Sequence, residues 1–282
     1  MTGKIIKNIS NLYVVLSNNV TYDCIPRGKF KNIKLTPLVG DNVIFNDKEC
    51  VIEEILPRTN ELNRPKIANI DAALIVTSVV RPTISYNLLD KLIVTVENNL
   101  IEPIIVLTKM DLAGDKEIDE LNKSISYYKS VGYKVFRNDE IVALENYISG
   151  KFLVVTGQTG AGKSSLLNKL SPNLELETNE ISDALGRGKH TTRHTEFYNI
   201  KDYYIADTPG FSDVDISSLT IDELKACFIE FDKYECKFRN CNHFKETGCA
   251  VKKAVYNKEI LASRYENYLK FGGFEWKYRY LF

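Results

Sequence analysis

In roughly the first sixty residues the apolar positions fall in short runs, Leu12-Tyr13-Val14-Val15-Leu16 and Asp41-Asn42-Val43-Ile44-Phe45, punctuated by Pro26, Gly28, Pro37 and Gly40. Short strands bounded by turn formers predict a small β-barrel. With basic residues interspersed, an OB-type barrel fits, and periodicity alone leaves an SH3-like barrel open. From about residue 64 the pattern becomes apolar strands alternating with helical spacing. Residues 72–80 form one run, Leu88, Leu89, Leu92, Ile93 and Val96 recur at helical intervals, and 103–107 form the next run. That is the βαβ signature of a parallel sheet. Further strands are predicted at 151–155, 196–200 and 203–206. Beyond Phe211 the strand signal fades, and 219–234 and 253–269 read as helices around a cysteine-rich turn, with no repeat or low-complexity tract.

The 282 residues, 44% of them hydrophobic, suffice for two or three packed domains and exclude disordered and collagenous classes. Apolar stretches such as Ala72-Ala73-Leu74-Ile75-Val76 fall far short of the roughly 20 residues that span a bilayer. Residues 1–10 lack the apolar segment of a signal peptide, so the expectation is a soluble, cytoplasmic protein without a membrane partner. Lys+Arg and Asp+Glu balance at 37 each, so any attraction to nucleic acid rests on local patches. Two stand out. Lys4, Lys7, Arg27, Lys29, Lys31 and Lys34 face only Asp23 in residues 1–35, and residues 251–282 carry seven basic residues against three acidic ones.

Gly157-Gln158-Thr159-Gly160-Ala161-Gly162-Lys163-Ser164 follows a predicted strand and precedes a predicted helix from Ser165, which is the context a phosphate-binding loop needs. Its glycines let backbone N–H groups converge on phosphates, and the helix N-terminus adds its dipole. Lys163 is expected to neutralise the β- and γ-phosphates and Ser164 to ligate magnesium. Asp207-Thr208-Pro209-Gly210 leaves another strand as a D-x-x-G switch, with Asp207 toward magnesium and Gly210 sensing the γ-phosphate. Between them runs Gly186-Arg187-Gly188-Lys189-His190-Thr191-Thr192-Arg193-His194, where Thr192, in preference to Thr191, is expected to complete the magnesium shell.

Guanine carries an N1–H and an amine that a carboxylate can accept and that adenine does not match. Thr108-Lys109-Met110-Asp111 closes a predicted strand with that arrangement: Asp111 for the base edge, Lys109 packing along its plane. Bound adenine would leave Asp111 desolvated and unpaired, at a cost of roughly 1 to 3 kcal/mol or more. This segment precedes the phosphate loop, the reverse of the order in ordinary GTPases. Permutation need not alter a fold whose termini lie close together, but it runs the switch directly into the C-terminal segment.

Cys236, Cys241, His243 and Cys249 form a C-x4-C-x-H-x5-C cluster. Three thiolates and an imidazole suit tetrahedral zinc. A disulfide framework using Cys227 is the alternative, disfavoured in a reducing compartment. With no open coordination position indicated, one structural zinc is expected. Cys24, Cys50 and Cys227 read as small apolar residues.

With these motifs assembled, the chain resembles the ribosome small-subunit-dependent GTPase A family (RsgA) over essentially its whole length. The resemblance rests on the permuted order of 108–111, 157–164, His190-Thr191-Thr192 and 207–210, and on the Cys/His cluster. It implies a multidomain chain: an OB-type barrel binding RNA over 1–63, a circularly permuted α/β P-loop GTPase domain over 64–215, and a mainly α zinc-binding domain over 216–282. It also implies magnesium-dependent GTP hydrolysis stimulated by the small ribosomal subunit and its rRNA during late assembly, by a monomer that binds GTP and GDP.

Two departures bear on mechanism. Thr108 stands where most members of the family have Asn, and 135–140 lack a Ser-Ala-type base signal. Phe211 occupies the position where a Ras-like enzyme has the glutamine that orients water. His190, beside the threonine pair, is the residue the resemblance suggests for that task, alongside Lys163 and Thr192 as catalytic groups. A P-loop ATPase or kinase, and a non-catalytic RNA-binding scaffold, are the competing readings. Nucleotide selectivity and measured turnover separate them. The aromatic group Tyr265, Tyr268, Phe274, Trp276 and Phe282 is expected to be core.

Overall fold

The structure is a computed structural model that describes residues 1–28, 30, 35–63, 66–171, 196–206 and 216–274. Strands β1 (Thr2–Ile9), β2 (Leu12–Ser17), β3 (Val20–Pro26), β4 (Asn42–Asn46) and β5 (Val51–Ile55) close a barrel in the order β1-β2-β3-β5-β4. β4 returns antiparallel to β1, and β3 pairs in parallel with β5. That is the five-stranded Greek-key arrangement of an OB fold, which decides the alternative left open by periodicity. The period-2 pattern does what it should: Tyr13, Val15 and Ser17 of β2 point inward and their neighbours do not.

A hairpin, β6 (Glu61–Asn63) and β7 (Lys66–Ala68), leads out of the barrel. Gly40 fits against it only because it lacks a side chain: φ is +93° and a Cβ would lie 1.8 Å from the Ala68 carbonyl oxygen. Next to it the fully buried Asp41 accepts from the Leu38 N–H (2.7 Å) and from Arg58 Nε (2.7 Å) and Nη2 (2.9 Å). A bidentate guanidinium satisfies a carboxylate that burial would otherwise penalise.

The central sheet has the order β10-β9-β8-β11-β13-β12, from β8 (Ala72–Ser78), β9 (Glu102–Thr108), β10 (Lys134–Arg137), β11 (Phe152–Gly157), β12 (Phe197–Ile200) and β13 (Tyr203–Ala206). All pairings are parallel except β12 with β13. β8 is buried along its whole length and its residues alternate between two cores. Ala73 and Ile75 join Leu89, Ile93, Leu121 and Ile125 of helices α1 (Tyr86–Asn98) and α2 (Asp115–Val131), in one apolar cluster with the barrel interior. Ala72, Leu74 and Val76 meet Leu144, Ile148, Leu166 and Leu170 of α3 (Ile141–Ile148) and α4 (Lys163–Leu170). Strands buried on both faces read as continuous apolar runs, which is why the sequence shows them clearly.

Barrel and sheet are also tied by polar contacts. Lys4 Nζ donates to the Asn69 carbonyl (3.0 Å) and sits 4.1 Å above the Phe152 ring. Lys7 pairs with Glu196 by ion pair and by an antiparallel bridge. Two of the six basic residues counted in the first patch thus serve the junction, not a free surface.

The C-terminal lobe departs from its predicted helices. The span 219–234 divides into α5 (Ile221–Ala226) and a 3-10 turn, Ile229–Lys233; the break lets Phe228 and Phe231 both enter the lobe core while Glu230 turns toward Arg264. The span 253–269 is likewise two helices, α6 (Ala250–Tyr256) and α7 (Ala262–Phe271), separated by a turn in which Lys258 is left-handed (φ +64°) and the Glu259 N–H bonds the Ala254 carbonyl at 2.8 Å. Tyr265 and Tyr268 are core, as expected; Trp276 and Phe282 lie outside the described residues. Val94 of α1 belongs to the same cluster, so the lobe packs on a helix of the central sheet.

Candidate nucleotide site and metal centre

Thr108, Gly157 and Ala206 end β9, β11 and β13 at one edge of the sheet, the edge where open α/β folds bind ligands. The backbone of the phosphate loop is specified by its glycines. Gly157 has φ +137°, and a Cβ there would meet the Val76 carbonyl oxygen at 2.0 Å. Gly160 and Gly162 also have positive φ, +77° and +89°, and Gly162 launches α4. Lys163 curls back over the loop, its ammonium donating to the carbonyls of Gly157 (2.8 Å) and Gln158 (3.0 Å). Burial holds its pKa below the usual lysine value. Ser164 and Ser165 are exposed in the first turn of α4, Thr159 and Gly160 are exposed at the loop tip, and Ala161 is fully buried.

The 108–111 segment is bonded to this loop. Thr108, 4% exposed, donates its hydroxyl to the Ala161 carbonyl at 2.5 Å, and Lys109 Nζ donates to the carbonyls of Gly160 (2.8 Å) and Arg81. Lys109 adopts a left-handed conformation that opens the 3-10 turn Met110–Leu112; Met110 is buried and Asp111 faces solvent at the same edge. The hydroxyl hydrogen of Thr108 is therefore committed to the phosphate loop, leaving only its lone pairs for a base. His190, Thr192, Asp207 and Gly210 lie outside the described residues, as does Phe211.

The four atoms of Cys236, Cys241, His243 and Cys249 that can ligate a metal lie within 4.8 Å of one another. Cys236 Sγ is 3.5 Å and Cys249 Sγ 3.4 Å from His243 Nδ1, and the two sulfurs are 3.8 Å apart. A tetrahedral ion with bonds of about 2.3 Å to sulfur and about 2.0 Å to nitrogen requires edges of about 3.8 and 3.5 Å, so these residues fit zinc. Peptide N–H groups of Ala250 and Lys252 point at Cys236 (3.3 Å) and Cys249 (3.4 Å), as they do toward thiolates. Tyr265 and Tyr268 brace the knuckle through the carbonyls of His243 (2.6 Å) and Asn242 (2.8 Å). All six cysteines are free, against the disulfide alternative; Cys24 and Cys227 are buried and Cys50 half-buried.

Sequence reasoning missed one cluster. Arg264 of α7, with no exposed surface, donates to Asp90 of α1 (2.9 Å) and doubly to Glu230 (2.8 Å each). Asp90 also accepts from Tyr128 OH and Asn267 Nδ2, both at 2.6 Å. The available signal was a carboxylate inside the apolar stripe that begins at Leu88 and Leu89. Arg264, counted as part of a basic patch, is instead the centre of the joint between lobe and sheet.

Residues 55–217 match the profile of the RsgA GTPase family and residues 2–51 that of the RsgA N-terminal domain. A protein of Enterococcus faecalis named small ribosomal subunit biogenesis GTPase RsgA is 46% identical over 279 residues, 96% of this chain and 94% of that one. A protein of the same name from Bacillus velezensis is 48% identical over 282 residues, 95% of each. Among solved structures, YjeQ from Thermotoga maritima superposes with a TM-score of 0.85 at 34% identity, covering 96% of this chain and 97% of its own. YloQ, described as a circularly permuted GTPase, gives 0.83 at 39% identity, covering 96% and 93%.

Proposed function

This chain belongs to the RsgA GTPase family, and we propose that it hydrolyses GTP when docked on the small ribosomal subunit, contributing to late maturation of that subunit. The observation that carries this reading is the bonding of Thr108 and Lys109 to the Ala161 and Gly160 carbonyls, which makes one unit of a base-reading segment and a phosphate loop whose strands, β9 and β11, are separated by β8. In it Asp111 accepts the N1–H and amine of guanine, Lys109 lies along the base, and Lys163 leaves its own loop carbonyls for the β- and γ-phosphates. Backbone N–H groups of 158–165 cradle those phosphates at the α4 N-terminus.

Magnesium would be held by Ser164, Thr192 and Asp207, and when bound it neutralises charge on the phosphate oxygens. Gly210 reports the γ-phosphate. With Phe211 unable to orient water, turnover by the free chain is slow, on the order of 10⁻⁴ s⁻¹. Docking on the subunit brings His190 to the attacking water. One zinc held by Cys236, Cys241, His243 and Cys249 is structural. The division of labour follows the boundaries 1–63, 64–215 and 216–282, with barrel and zinc lobe contacting rRNA, in a monomer that works in the cytoplasm.

Phosphate release from GTP and from ATP, alone, with small subunits and with large subunits, tests the reading. GTP turnover raised many-fold by small subunits alone is expected. Equal, unstimulated activity on both nucleotides would overturn it.

A further inference from the structure

The turn between β8 and α1 touches the nucleotide site, and the helix it leads into touches the zinc lobe. At its start the Val79 N–H bonds the Thr108 carbonyl (3.1 Å) and Ser78 Oγ bonds the Pro82 carbonyl (2.6 Å). Its middle abuts the site directly: the Arg81 carbonyl accepts from Lys109 Nζ, and a Cβ on Gly160 would reach Pro82 Cδ at 3.7 Å. Ser85 then caps α1 through the Leu88 N–H at 3.3 Å.

From outside the sheet, one side chain engages three groups in the first turn of α1, sharing its hold on Asp90 with Arg264. Asn267 of α7, 8% exposed, donates from Nδ2 to the Asp90 carboxylate (2.6 Å) and to the Tyr86 carbonyl (3.3 Å), and accepts at Oδ1 from Asn87 Nδ2 (2.8 Å). An amide that both donates and accepts fixes three points of one helical turn, which neither a carboxylate nor an ammonium in its place would do. Tyr86 lies only four residues from Pro82. Any slackening of this grip is felt at the turn against which Lys109 is placed.

We infer that Asn267 is a positioning residue for guanine-nucleotide binding: from the zinc lobe it fixes the start of α1, and through it the Arg81–Pro82 turn against Lys109 and the phosphate loop. The inference rests on the reading of 108–111 and 157–165 as the nucleotide site. It makes nucleotide affinity depend on a residue of the lobe that touches no nucleotide. The dependence is reciprocal, so occupancy of the site also stiffens the joint through which the lobe is carried.

The test is titration of the full, zinc-loaded chain with a fluorescent GDP at 25 °C, alongside zinc content and thermal midpoint. Asn267→Ala, and more mildly Asn87→Ala, are expected to raise the GDP dissociation constant, by roughly fivefold for Asn267→Ala, with zinc retained. Tyr265→Phe, which removes the bond to the His243 carbonyl inside the lobe without touching α1, serves as the control. It is expected to lower the midpoint and leave GDP affinity unchanged. Wild-type affinity in Asn267→Ala, or an equal loss in Tyr265→Phe, overturns the inference and leaves the nucleotide site standing. A wild-type chain that binds GDP no better than ADP overturns both.

Discussion

The Thr108 hydroxyl and the Ala161 carbonyl are 2.5 Å apart, and this bond fastens the end of β9 to the phosphate loop across β8, which lies between β9 and β11. A hydroxyl can do this with its single hydrogen. It has none left for a second acceptor, whereas an asparagine at the same position would bring two. Thr108 thus forms part of the scaffold of the site.

Thr108→Val keeps the shape and deletes the bond. Losing a buried neutral hydrogen bond while stranding its acceptor costs about 1 to 2 kcal/mol. Affinity for GDP and GTP should fall together, by roughly 5- to 30-fold, with the preference over ADP intact because Asp111 is untouched. Isothermal titration with GDP and ADP checks both halves; a variant that lost guanine preference would show that Thr108 itself reads the base.

Asp111 is assigned to the base because it can accept two hydrogens from guanine. Asp111→Asn presents a donor where xanthine offers a carbonyl oxygen in place of the guanine amine. Competition of xanthosine diphosphate against GDP should therefore reverse in favour of xanthosine in this variant. Unchanged preference would remove Asp111 from the base site.

The fold was readable wherever a strand was buried on both faces or alternated cleanly, as in β8, β11 and β2, because periodicity reports burial directly. The phosphate loop was readable for a different reason: Gly157, Gly160 and Gly162 all adopt positive-φ backbone conformations that residues with side chains rarely take, and at Gly157 a Cβ would also clash. What stayed hidden depends on pairing across sequence distance. Arg264 and Asp90 are 174 positions apart, and neither residue by itself announces a buried ion pair. The two broken C-terminal helices failed similarly. Spacing of Leu219 to Tyr234 fits one helix, but burying Phe228 and Phe231 together with Glu230 needs a tighter turn.

Arg264→Met tests the joint. The arginine has no exposed surface, and its loss strands Asp90 and Glu230, which among the described residues retain only neutral donors. Breaking such a pair typically costs about 3 to 5 kcal/mol, whereas replacing every member with neutral groups is far milder. Urea unfolding should show the large loss for Arg264→Met and recovery of a good part of it in the triple variant with Asp90→Asn and Glu230→Gln. Absence of recovery would mean that the guanidinium packing on Phe228, 4.5 Å from its ring, matters more than the charges.

The start of α5 supplies a pH-dependent contribution of known sign. Both the N–H and the hydroxyl of Thr220 donate to the Glu223 carboxylate at 2.8 Å, and these bonds lower its pKa below the usual 4.5. A carboxyl whose pKa is lower in the folded than in the unfolded chain stabilises the fold above the unfolded value and loses that contribution as pH falls through the folded one. Glu223→Ala should therefore be less stable than wild type at neutral pH, and the gap should narrow below about pH 4.5 as the wild-type carboxylate takes up its proton. Parallel urea titrations of the two proteins from pH 7 downward measure the gap directly. A difference that stayed constant with pH would mean that the capping box acts through the shape of the turn and not through the ionised carboxylate.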